Sequence, residues 1–343
     1  MKIMVTGILG YIGSVMADEL TDRKHEVVGV DTGFFSDSCL YPRRENAIPV
    51  VRKDVRNLTV DDVRGFDAVI HLGELSNDPM GQLNPQITFA INHAGSVGLA
   101  RLCKAAGVPR FLFSSSCSVY GAGSGEFKTE ESAVNPQTVY AECKVRVERE
   151  VSALADDTFS PTFFRNSTAY GASPGMRFDL VLNNLSGLAW TTGEIRMTSD
   201  GTPWRPLVHI ADISRAFACS LDAPREAVHN QILNVGDSRQ NYRVREIAEL
   251  VAAAFPGCRT TFGKNDGDTR SYRVNFDKIQ RVLPAFACAH TARSGAAELH
   301  EVFTRIGLKR DAFEHRAFTR IKQLQYLLDT HRIDADLFWK TAA

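Results

Sequence analysis

The chain has 343 residues, of which 44% are hydrophobic and 23% charged, a composition typical of a folded water-soluble protein with one large domain or two. Its 40 basic residues balance 40 acidic ones, so no overall charge favours nucleic acid or an anionic membrane, and we expect neither as a partner. Seven cysteines without a CxxC pair, no secretion signal and no apolar run of membrane-spanning length predict a cytoplasmic protein with free thiols.

Short apolar runs alternate with helical patterns through the first part of the chain. Strands separated by helices of this length form crossover units, and parallel strands are apolar throughout because both faces of their sheet are buried. The pattern predicts an α/β fold, a doubly wound parallel (Rossmann) sheet. Its predicted strands are 2–7, 26–31, 48–55, 68–73 and 110–116, with helices at 11–24 and 92–107.

Beyond about residue 160 the pattern becomes irregular, which predicts a smaller C-terminal substrate-binding lobe woven back onto the sheet. We place the first domain at 1–165, with a strand and a helix returning at about 205–235, and the lobe at 166–343. Further helices are predicted at 240–255 and 311–328. The stretch 318–339 has the pattern of an amphipathic helix with an apolar end, suited to packing or to a dimer contact.

Three glycines follow the first strand in the stretch VTGILGYIG, where Gly7, Gly10 and Gly13 open the first helix. Glycine permits a tight turn and a close approach of backbone N–H groups to a pyrophosphate, which the helix N-terminus then faces. A plain turn is the alternative for a lone glycine triplet. We predict a dinucleotide site here, with Tyr11 and Ile12 of the same turn in contact with the cofactor.

Asp31 ends the second strand, where a carboxylate accepts bonds from both ribose hydroxyls and repels a 2′-phosphate. It favours NAD over NADP, against the alternative that Asp31 is only a turn residue. Arg43 and Arg44 remain available as partners of a 2′-phosphate. The other cofactor contacts predicted at strand ends are Asp54, Val55, Leu72 and Gly73.

Tyr140 and Lys144 lie four positions apart, on one face of a predicted helix. A tyrosine is a poor base at neutral pH, but a nearby ammonium and an oxidised nicotinamide favour its phenolate. The phenolate then accepts a hydroxyl proton while hydride leaves the same carbon. Such a pair alone is common by chance. Here Ser116, at the end of the preceding strand, offers a hydrogen bond to the same oxygen.

The sequence as a whole resembles the extended short-chain dehydrogenase/reductase family, in particular its NAD-dependent sugar-nucleotide epimerases and dehydratases. The resemblance covers nearly the whole chain. Its motifs are TGILGYIG, GVD, KDV, VIHLGE, AINHAG, FSSSCSVYG, YAECK, RNSTAYG, WRPLVHIADI, LNVGD and GDTRSYRVNFDKI.

The resemblance implies a role for each matching residue. Ser116 binds the oxygen being oxidised, Tyr140 is the base, and Lys144 holds the nicotinamide ribose and tunes the tyrosine. The asparagine of AINHAG, Asn92, joins the cofactor set. Arg205 and Arg270 match positions that bind the substrate's phosphates, with Arg273 as a competitor for the second, and guanidinium forks suit a diphosphate. The substrate-binding residues implied are Ser76, Ser116, Cys117, Ser118, Asn166, Asn183, Arg205 and Arg270.

Two departures from the family bear on the reaction. Cys117 and Ser118 stand where dehydratases carry an Asp-Glu pair and decarboxylating members a glutamate, so 4,6-dehydration and that decarboxylation lose support. Cys117 has no histidine partner and is expected to be a packed thiol. The usual alanine pair after HL is Gly73-Glu74, and the loop beyond it includes Ser76, whose side chain either reaches the sugar or caps a turn.

The resemblance implies an NAD-dependent enzyme that inverts C4 of a nucleotide-diphosphate sugar through a transient 4-keto intermediate. An NAD(P)H-dependent 4-ketoreductase uses the same three residues and stays open as an alternative, and a non-catalytic dinucleotide-binding protein is a third. His71 and His209 lack metal-ligand spacing, so we expect no metal. A homodimer is implied, with helices 92–107 and 138–155 forming a four-helix bundle through an apolar stripe in the second.

Overall fold

The computed structural model describes residues 1–44, 48–76, 84–123, 125–264 and 271–340. A parallel sheet of seven strands forms its centre, in the order β11-β7-β5-β4-β1-β2-β3, where β11 follows a long excursion of the chain. The strands of this sheet are β1 (Lys2–Thr6), β2 (Glu26–Asp31), β3 (Val50–Arg52), β4 (Ala68–His71), β5 (Arg110–Ser116), β7 (Ser160–Asn166) and β11 (Gln231–Val235).

Helices cover both faces of the sheet, which confirms the predicted doubly wound fold. On β1, Ile3 and Val5 pack in one apolar cluster with Met16 of α1, while Met4 points to the opposite cluster with Val97 of α4. Alternation along a strand places successive side chains on opposite faces. The helices are α1 (Tyr11–Asp22), α2 (Val60–Val63), α3 (Pro85–Thr88), α4 (Ser96–Ala105), α5 (Val139–Ser152), α6 (Val181–Thr192), α7 (Ile210–Asp222), α8 (Arg225–Val228), α9 (Val244–Ala254), α10 (Asp277–Val282), α11 (Ala292–Ile306), α12 (Arg310–Glu314) and α13 (Arg320–Asp329).

Three small sheets build the rest of the molecule, together with α6, α9 and α11, whose apolar faces share a second core. One has the order β12-β10-β8, and the others are the parallel pairs β13-β9 and β14-β6. Their strands are β6 (Phe127–Lys128), β8 (Thr168–Tyr170), β9 (Glu194–Arg196), β10 (Trp204–His209), β12 (Asn241–Arg243), β13 (Arg259–Thr261) and β14 (Arg273–Val274).

The last part of the chain differs from the predicted pattern. The predicted helix 311–328 is two helices, α12 and α13, joined by a short 3-10 turn, and α13 ends at Asp329. The chain then turns back, so that Ile333 pairs with Trp339 in an antiparallel bridge. Leu324 and Leu327 of α13 pack with Phe34 in a small apolar cluster of this same chain. The amphipathic pattern therefore marks an internal packing face.

The apolar stripe of α5 also packs inward. Val147 and Val151 are fully buried in the cluster between α5, α4 and the sheet. The sheet alone accounts for the stripe, so the stripe does not by itself indicate a four-helix bundle. No helix within the described residues is both long and apolar enough to cross a membrane.

Candidate active site

A cavity of about 610 Å³ opens above the carboxyl ends of the central strands. Its walls come from residues that directly follow β1, β2, β4, β5 and β7, because the ends of parallel strands meet at one edge of the sheet. The far wall comes from Thr319, Arg320 and Ile321, close to the end of the chain.

The glycine turn forms one end of the cavity. Gly7 has φ +72°, and a Cβ there would lie 2.9 Å from the Gly73 backbone nitrogen. A Cβ on Gly13 would clash with the Gly7 carbonyl oxygen, so neither position accepts a side chain. The turn therefore presents bare backbone at the N-terminus of α1, beside Tyr11 and Ile12 in the cavity wall. This cradle fits the pyrophosphate of a dinucleotide.

Asp31 lies in the cavity wall next to this turn. Its carboxylate accepts hydrogen bonds from the backbone N–H groups of Leu9, at 3.0 Å, and Gly33, at 2.7 Å. Burial raises the pKa of Asp31, while these two bonds oppose that rise. The carboxylate is therefore fixed in position where the adenosine ribose is expected.

Neither candidate partner of a 2′-phosphate lines the cavity. Arg43 donates to the Leu9 carbonyl at 2.9 Å, and Arg44 forms an exposed ion pair with Asp22. The other predicted cofactor contacts at strand ends, Asp54, Val55, Leu72 and Gly73, all line the cavity. The Asp54 carboxylate is held by both the backbone and the guanidinium of Arg56.

Ser116, Tyr140 and Lys144 line the wall of the same cavity. Thr138 caps α5 by accepting from the Ala141 N–H at 3.2 Å, and this fixes the first turn that carries Tyr140. The Lys144 ammonium lies 5.4 Å from the centre of the Tyr140 ring. The Ser116 hydroxyl oxygen accepts from the Ser118 N–H at 3.2 Å, so its own proton remains to be donated to a ligand. The three groups predicted to act in proton transfer therefore line the same cavity.

Glu74 is a neighbour of this set that the sequence did not assign. Its carboxylate forms a short ion pair with Lys144, and both side chains are 3% exposed. Lys144 also donates to the Ser114 carbonyl oxygen. Burial lowers the pKa of Lys144 to about 7, and the charge of Glu148 opposes that fall. The contact with the Glu74 carboxylate also favours the charged form of the ammonium beside Tyr140.

A chain of buried hydrogen bonds supports Glu74 from behind. Thr6 is bonded to His71 at 2.6 Å, and the other ring nitrogen of His71 is bonded to Ser96 at 2.8 Å. The single Ser96 hydroxyl proton is shared between the Asn92 carbonyl oxygen at 2.7 Å and Glu74 at 3.2 Å. Burial lowers the pKa of His71 to about 3, so the ring is neutral. This chain fixes the orientation of the carboxylate.

Two buried polar atoms of the cavity lining lack a hydrogen-bond partner among the described residues. They are the side-chain oxygens of Ser118 and Asn166. The Asn166 amide nitrogen is occupied, since it donates to Ser114 Oγ at 3.0 Å. Leaving a buried acceptor unsatisfied costs about 1–3 kcal/mol. Both oxygens are therefore suited to bind a polyhydroxylated ligand.

Arg177 and Asp179 form a second buried ion pair in the cavity wall, at 2.9 Å. Arg177 also donates to Ser76 Oγ at 3.1 Å, which places the predicted Ser76 at this wall. Burial opposes ionisation of Asp179, but the charges and hydrogen bonds of Arg177 and Arg320 together hold the pKa of Asp179 below its ordinary value. Arg177 and Asp179 are two positions apart in the sequence, and this spacing could have predicted the ion pair.

Of the two arginines expected to hold phosphates, Arg205 lines the cavity, and its guanidinium donates to the Trp204 carbonyl oxygen at 2.9 Å. Arg270 lies outside the described residues. Its competitor Arg273 donates to the Gly125 carbonyl oxygen and packs on the rings of Phe127 and Trp204, away from the cavity wall.

Three of the predicted contact residues do not line the cavity. Asn92 is fully buried and makes two 2.8 Å bonds to the backbone of Leu75, so it shapes the loop after β4. Asn183 is fully buried and donates to the Tyr11 hydroxyl at 2.9 Å. The Cys117 thiol donates to the Arg165 carbonyl oxygen, and burial raises its pKa. All three support the wall from behind because their polar atoms are occupied by the protein.

The two histidines interpreted as structural are both buried. His209 caps α7 and forms a 2.8 Å ion-pair contact with Glu298, remote from the cavity wall. Within the described ranges, no group of three histidine, cysteine, aspartate or glutamate side chains is arranged to hold a metal ion.

The fold and this site define a dinucleotide-binding protein of the doubly wound class with a tyrosine–lysine pair beside its cofactor site. A sequence model of the NAD dependent epimerase/dehydratase family matches residues 3–236, and the chain belongs to that family. Its cofactor is NAD, which the glycine cradle and Asp31 fit.

Among similar proteins, the UDP-glucose 4-epimerase of Corynebacterium glutamicum is 28% identical over 269 residues, 73% of this chain and 79% of that protein. The UDP-glucose 4-epimerase of Neisseria meningitidis serogroup C is 28% identical over 280 residues, 74% of this chain and 82% of the relative. The structure of MoeE5 in complex with UDP-glucuronic acid and NAD has a TM-score of 0.77 and 28% identity, and the match covers 90% of this chain and 100% of MoeE5.

Proposed function

We propose that this protein is an NAD-dependent 4-epimerase of a nucleotide-diphosphate hexose or hexuronate, with a uridine nucleotide as the first carrier to test. One observation carries the proposal: Ser116, Tyr140 and Lys144 line the same cavity as the glycine turn and Asp31. The names of the similar proteins support it, since two are UDP-glucose 4-epimerases and one holds UDP-glucuronic acid.

In this proposal Tyr140 is the base and Ser116 binds the reacting oxygen. The Lys144 ammonium favours the phenolate of Tyr140, which takes the proton of the 4-hydroxyl. Ser116 donates its free proton to that oxygen and keeps it in place as it becomes a ketone. NAD, when bound, supplies reversible hydride acceptance at this end of the cavity. Tyr140 returns the proton after the sugar has turned its other face to the cofactor.

In this proposal the other residues of the cavity bind the substrate and take no part in proton or hydride transfer. Asn166 and Ser118 offer unpartnered oxygens to sugar hydroxyls, and Arg205 offers a guanidinium to the diphosphate. Arg270 stays a proposed second phosphate contact. Binding the remote diphosphate retains the 4-keto sugar while it rotates.

Dehydration and decarboxylation receive no support from the residues near Ser116. A raised pKa keeps the Cys117 thiol neutral, and Ser118 is not an acid at neutral pH. Glu74 is the nearest carboxyl group in the wall, but it is paired with Lys144. The alternative reaction, reduction of a 4-keto sugar, uses the same residues, and the experiment below distinguishes it from epimerisation.

The test is incubation of the purified protein with UDP-glucose, UDP-glucuronic acid and the corresponding dTDP-, GDP- and CDP-sugars, followed by NMR. Inversion at C4 of one of them, without added cofactor, is the expected result. If no sugar is inverted and a 4-keto sugar consumes NADH or NADPH in equal amount, the protein is a reductase. Tyr140→Phe distinguishes turnover from contamination in either assay.

We further propose the division into a domain at 1–165 and a lobe at 166–343, a homodimer through the surface of α4 and α5, and a cytoplasmic location. All seven cysteines are free thiols, which suits a reducing compartment. The exposed face of α5 carries an ion pair between Glu142 and Arg146, so the contact would be polar at that point. A monomer by light scattering at micromolar concentration contradicts the dimer.

A further inference from the structure

Arg320 is a buried cation in the wall of the dinucleotide cavity. It is the first residue of α13, is 2% exposed, and lies in a part of the chain that follows the family match at residues 3–236. No motif identified it. A cation in such a position requires an explanation, because an arginine is rarely buried without a partner.

The guanidinium of Arg320 is only partly satisfied by the protein. It donates to Ser38 Oγ at 3.2 Å and to the Gly175 carbonyl oxygen at 3.4 Å, and it stacks 4.2 Å from the centre of the Phe35 ring. A guanidinium has five N–H donors. In the described part of the chain no carboxylate lies within ion-pair distance of it, whereas the neighbouring Arg177 is paired with Asp179. Burial and the charge of Arg177 lower the pKa of Arg320 to about 9, and the more distant charges of Asp179 and Asp31 offset this fall only in part.

The position of the Arg320 guanidinium relative to the glycine turn indicates which anion would pair with it. The Gly175 backbone packs against that turn so closely that a Cβ on Gly175 would lie 2.8 Å from the Gly10 carbonyl oxygen. Ser173 donates to the Tyr11 carbonyl oxygen at 2.7 Å and holds the same two segments together. Arg320 therefore faces the cavity beside the N-terminus of α1, where the diphosphate of a dinucleotide lies.

We propose that Arg320 binds the diphosphate of NAD, and that the C-terminal segment, residues 319–340, forms the outer wall of the cofactor site. A planar guanidinium matches a diphosphate in both geometry and charge. This inference rests on the NAD binding that the family implies and adds a contact from outside the matched region.

The C-terminal segment is fastened to the loop that follows Asp31. Gln323 donates to the Phe34 carbonyl oxygen at 2.9 Å, and the Trp339 indole donates to the Thr32 carbonyl oxygen at 2.7 Å. Because Arg320 and these contacts belong to one segment, an anion held by Arg320 also stabilises its docking. The same docking slows release of the cofactor, as required of an enzyme that regenerates NAD in every cycle.

The test compares ligands that share adenosine but differ in the diphosphate. Equilibrium binding of ADP-ribose and of adenosine is measured for nucleotide-free wild type and for Arg320→Met, which keeps the length and apolar stem without the charge. We expect ADP-ribose to bind about 10- to 100-fold more weakly to the variant, as after loss of charge-assisted hydrogen bonds. Adenosine is expected to bind within twofold of wild type.

The matched control is Arg310→Met in α12, which removes an exposed ion pair with Glu314 and no cavity contact. It should leave both affinities within twofold. Unchanged ADP-ribose binding in Arg320→Met, or equal weakening of ADP-ribose and adenosine, overturns the proposal.

If Arg320→Met does not fold by circular dichroism, Arg320→Lys carries the same comparison. The lysine ammonium is a point charge that cannot bond two oxygens side by side, so ADP-ribose should bind about 3- to 10-fold more weakly to Arg320→Lys. Adenosine binding should be unaffected. Equal losses for the two ligands overturn the proposal. None of these measurements needs turnover. A protein that binds NAD through Arg320 but inverts no sugar refutes the epimerase proposal alone.

Discussion

Two buried cations of the cavity wall differ in how the protein neutralises them. They are Lys144 beside Tyr140, at the chemical end, and Arg320 beside the glycine turn and Asp31, at the adenosine end. At the chemical end, Lys144 is paired with Glu74, and a line of hydrogen bonds through Ser96 and His71 orients that carboxylate. At the adenosine end, Arg320 has two neutral acceptors and an aromatic ring. We infer that Lys144, which the protein neutralises, serves the reaction, whereas the charge of Arg320 is neutralised when its anionic ligand binds.

A paired buried cation is stable without ligand, because the protein itself neutralises its charge. An unpaired buried cation costs free energy until an anion arrives, so it couples binding to local structure. The chemical end is thus expected to respond to substitution mainly in rate and in pH dependence. The adenosine end is expected to respond in affinity.

The largest effect should come from Tyr140→Phe, which tests whether the chemical end acts on rate alone. Removing the phenol removes the proton acceptor, and we expect turnover to fall about 10²- to 10⁴-fold. NAD affinity should stay within threefold, because the ring is retained. Steady-state NMR assays and equilibrium NAD binding check the two parts. Tyr326→Phe on α13 is the control, and a loss of turnover below tenfold in Tyr140→Phe contradicts the assignment of the base.

Glu74→Gln tests whether pairing is what distinguishes Lys144 from Arg320. Leaving Lys144 buried without its carboxylate should lower the free energy of unfolding by about 3–5 kcal/mol near pH 6.5. Above pH 7 both folded proteins have released this proton, because the pKa of Lys144 is about 7 even in the intact pair. Below pH 7 only the wild type keeps it, since the variant has a still lower pKa, so the loss of stability is larger at pH 6.5 than at pH 9.5.

Denaturant titrations at both pH values measure this change. Glu142→Gln, on the same helix α5 as Lys144, is the control. Glu142 forms a half-exposed pair with Arg146, so its loss should cost less than about 1 kcal/mol at either pH. In activity, the alkaline limb of the Glu74→Gln profile should move to lower pH, since Lys144 sheds its proton earlier. A loss of stability that is equal at both pH values would show that Lys144 is not the group responsible.

Asp31→Asn sharpens the description of the adenosine end. The carboxylate is expected to bind the ribose hydroxyls and to repel a 2′-phosphate, so its neutralisation should raise the NADP-to-NAD affinity ratio about tenfold. Competition binding of the two cofactors gives that ratio. Asp37→Asn, which removes an exposed ion pair near the same loop, should not change it. An unchanged ratio in Asp31→Asn would mean that the aspartate serves only the Leu9 and Gly33 backbone.

The sequence predicted the parts of this cleft that depend on local spacing. The glycine turn joins β1 to α1, Asp31 ends β2, and Tyr140 and Lys144 lie on one helix, so the geometry of each follows from neighbouring residues. Their positions in the cavity wall agree with that expectation, and the doubly wound sheet is confirmed. Their roles in binding and catalysis stay predictions.

Contacts between distant parts of the chain were not predictable in this way. Glu74 and Lys144 are 70 positions apart, and Arg320 and Ser38 are 282 apart, so no periodicity links either pair. Asn92 and Asn183 show the converse. A polar residue in a family motif suggests a ligand, yet both amides are consumed by the protein's own polar groups. A buried amide has the same sequence signal whether it binds a ligand or the backbone.

The smallest expected effect tests how far the adenosine end depends on the docking of the C-terminal segment. Trp339→Phe keeps the aromatic contact with Phe34 but removes the 2.7 Å bond from the indole to the Thr32 carbonyl oxygen. The loss of one such bond, about 1 kcal/mol, should weaken NAD binding up to about fivefold and speed its release by a similar factor.

Trp190→Phe is the matched control, because the Trp190 indole on α6 donates to the Leu308 carbonyl oxygen at 2.8 Å and does not line the cavity. Stopped-flow release of NAD from both variants separates a local effect from a general loss of stability. Faster release from Trp339→Phe alone would place the C-terminal segment on the path by which the cofactor leaves. Equal acceleration in both variants would show that release follows the stability of the whole fold, and the two ends of the cleft would then differ in charge without differing in dynamics.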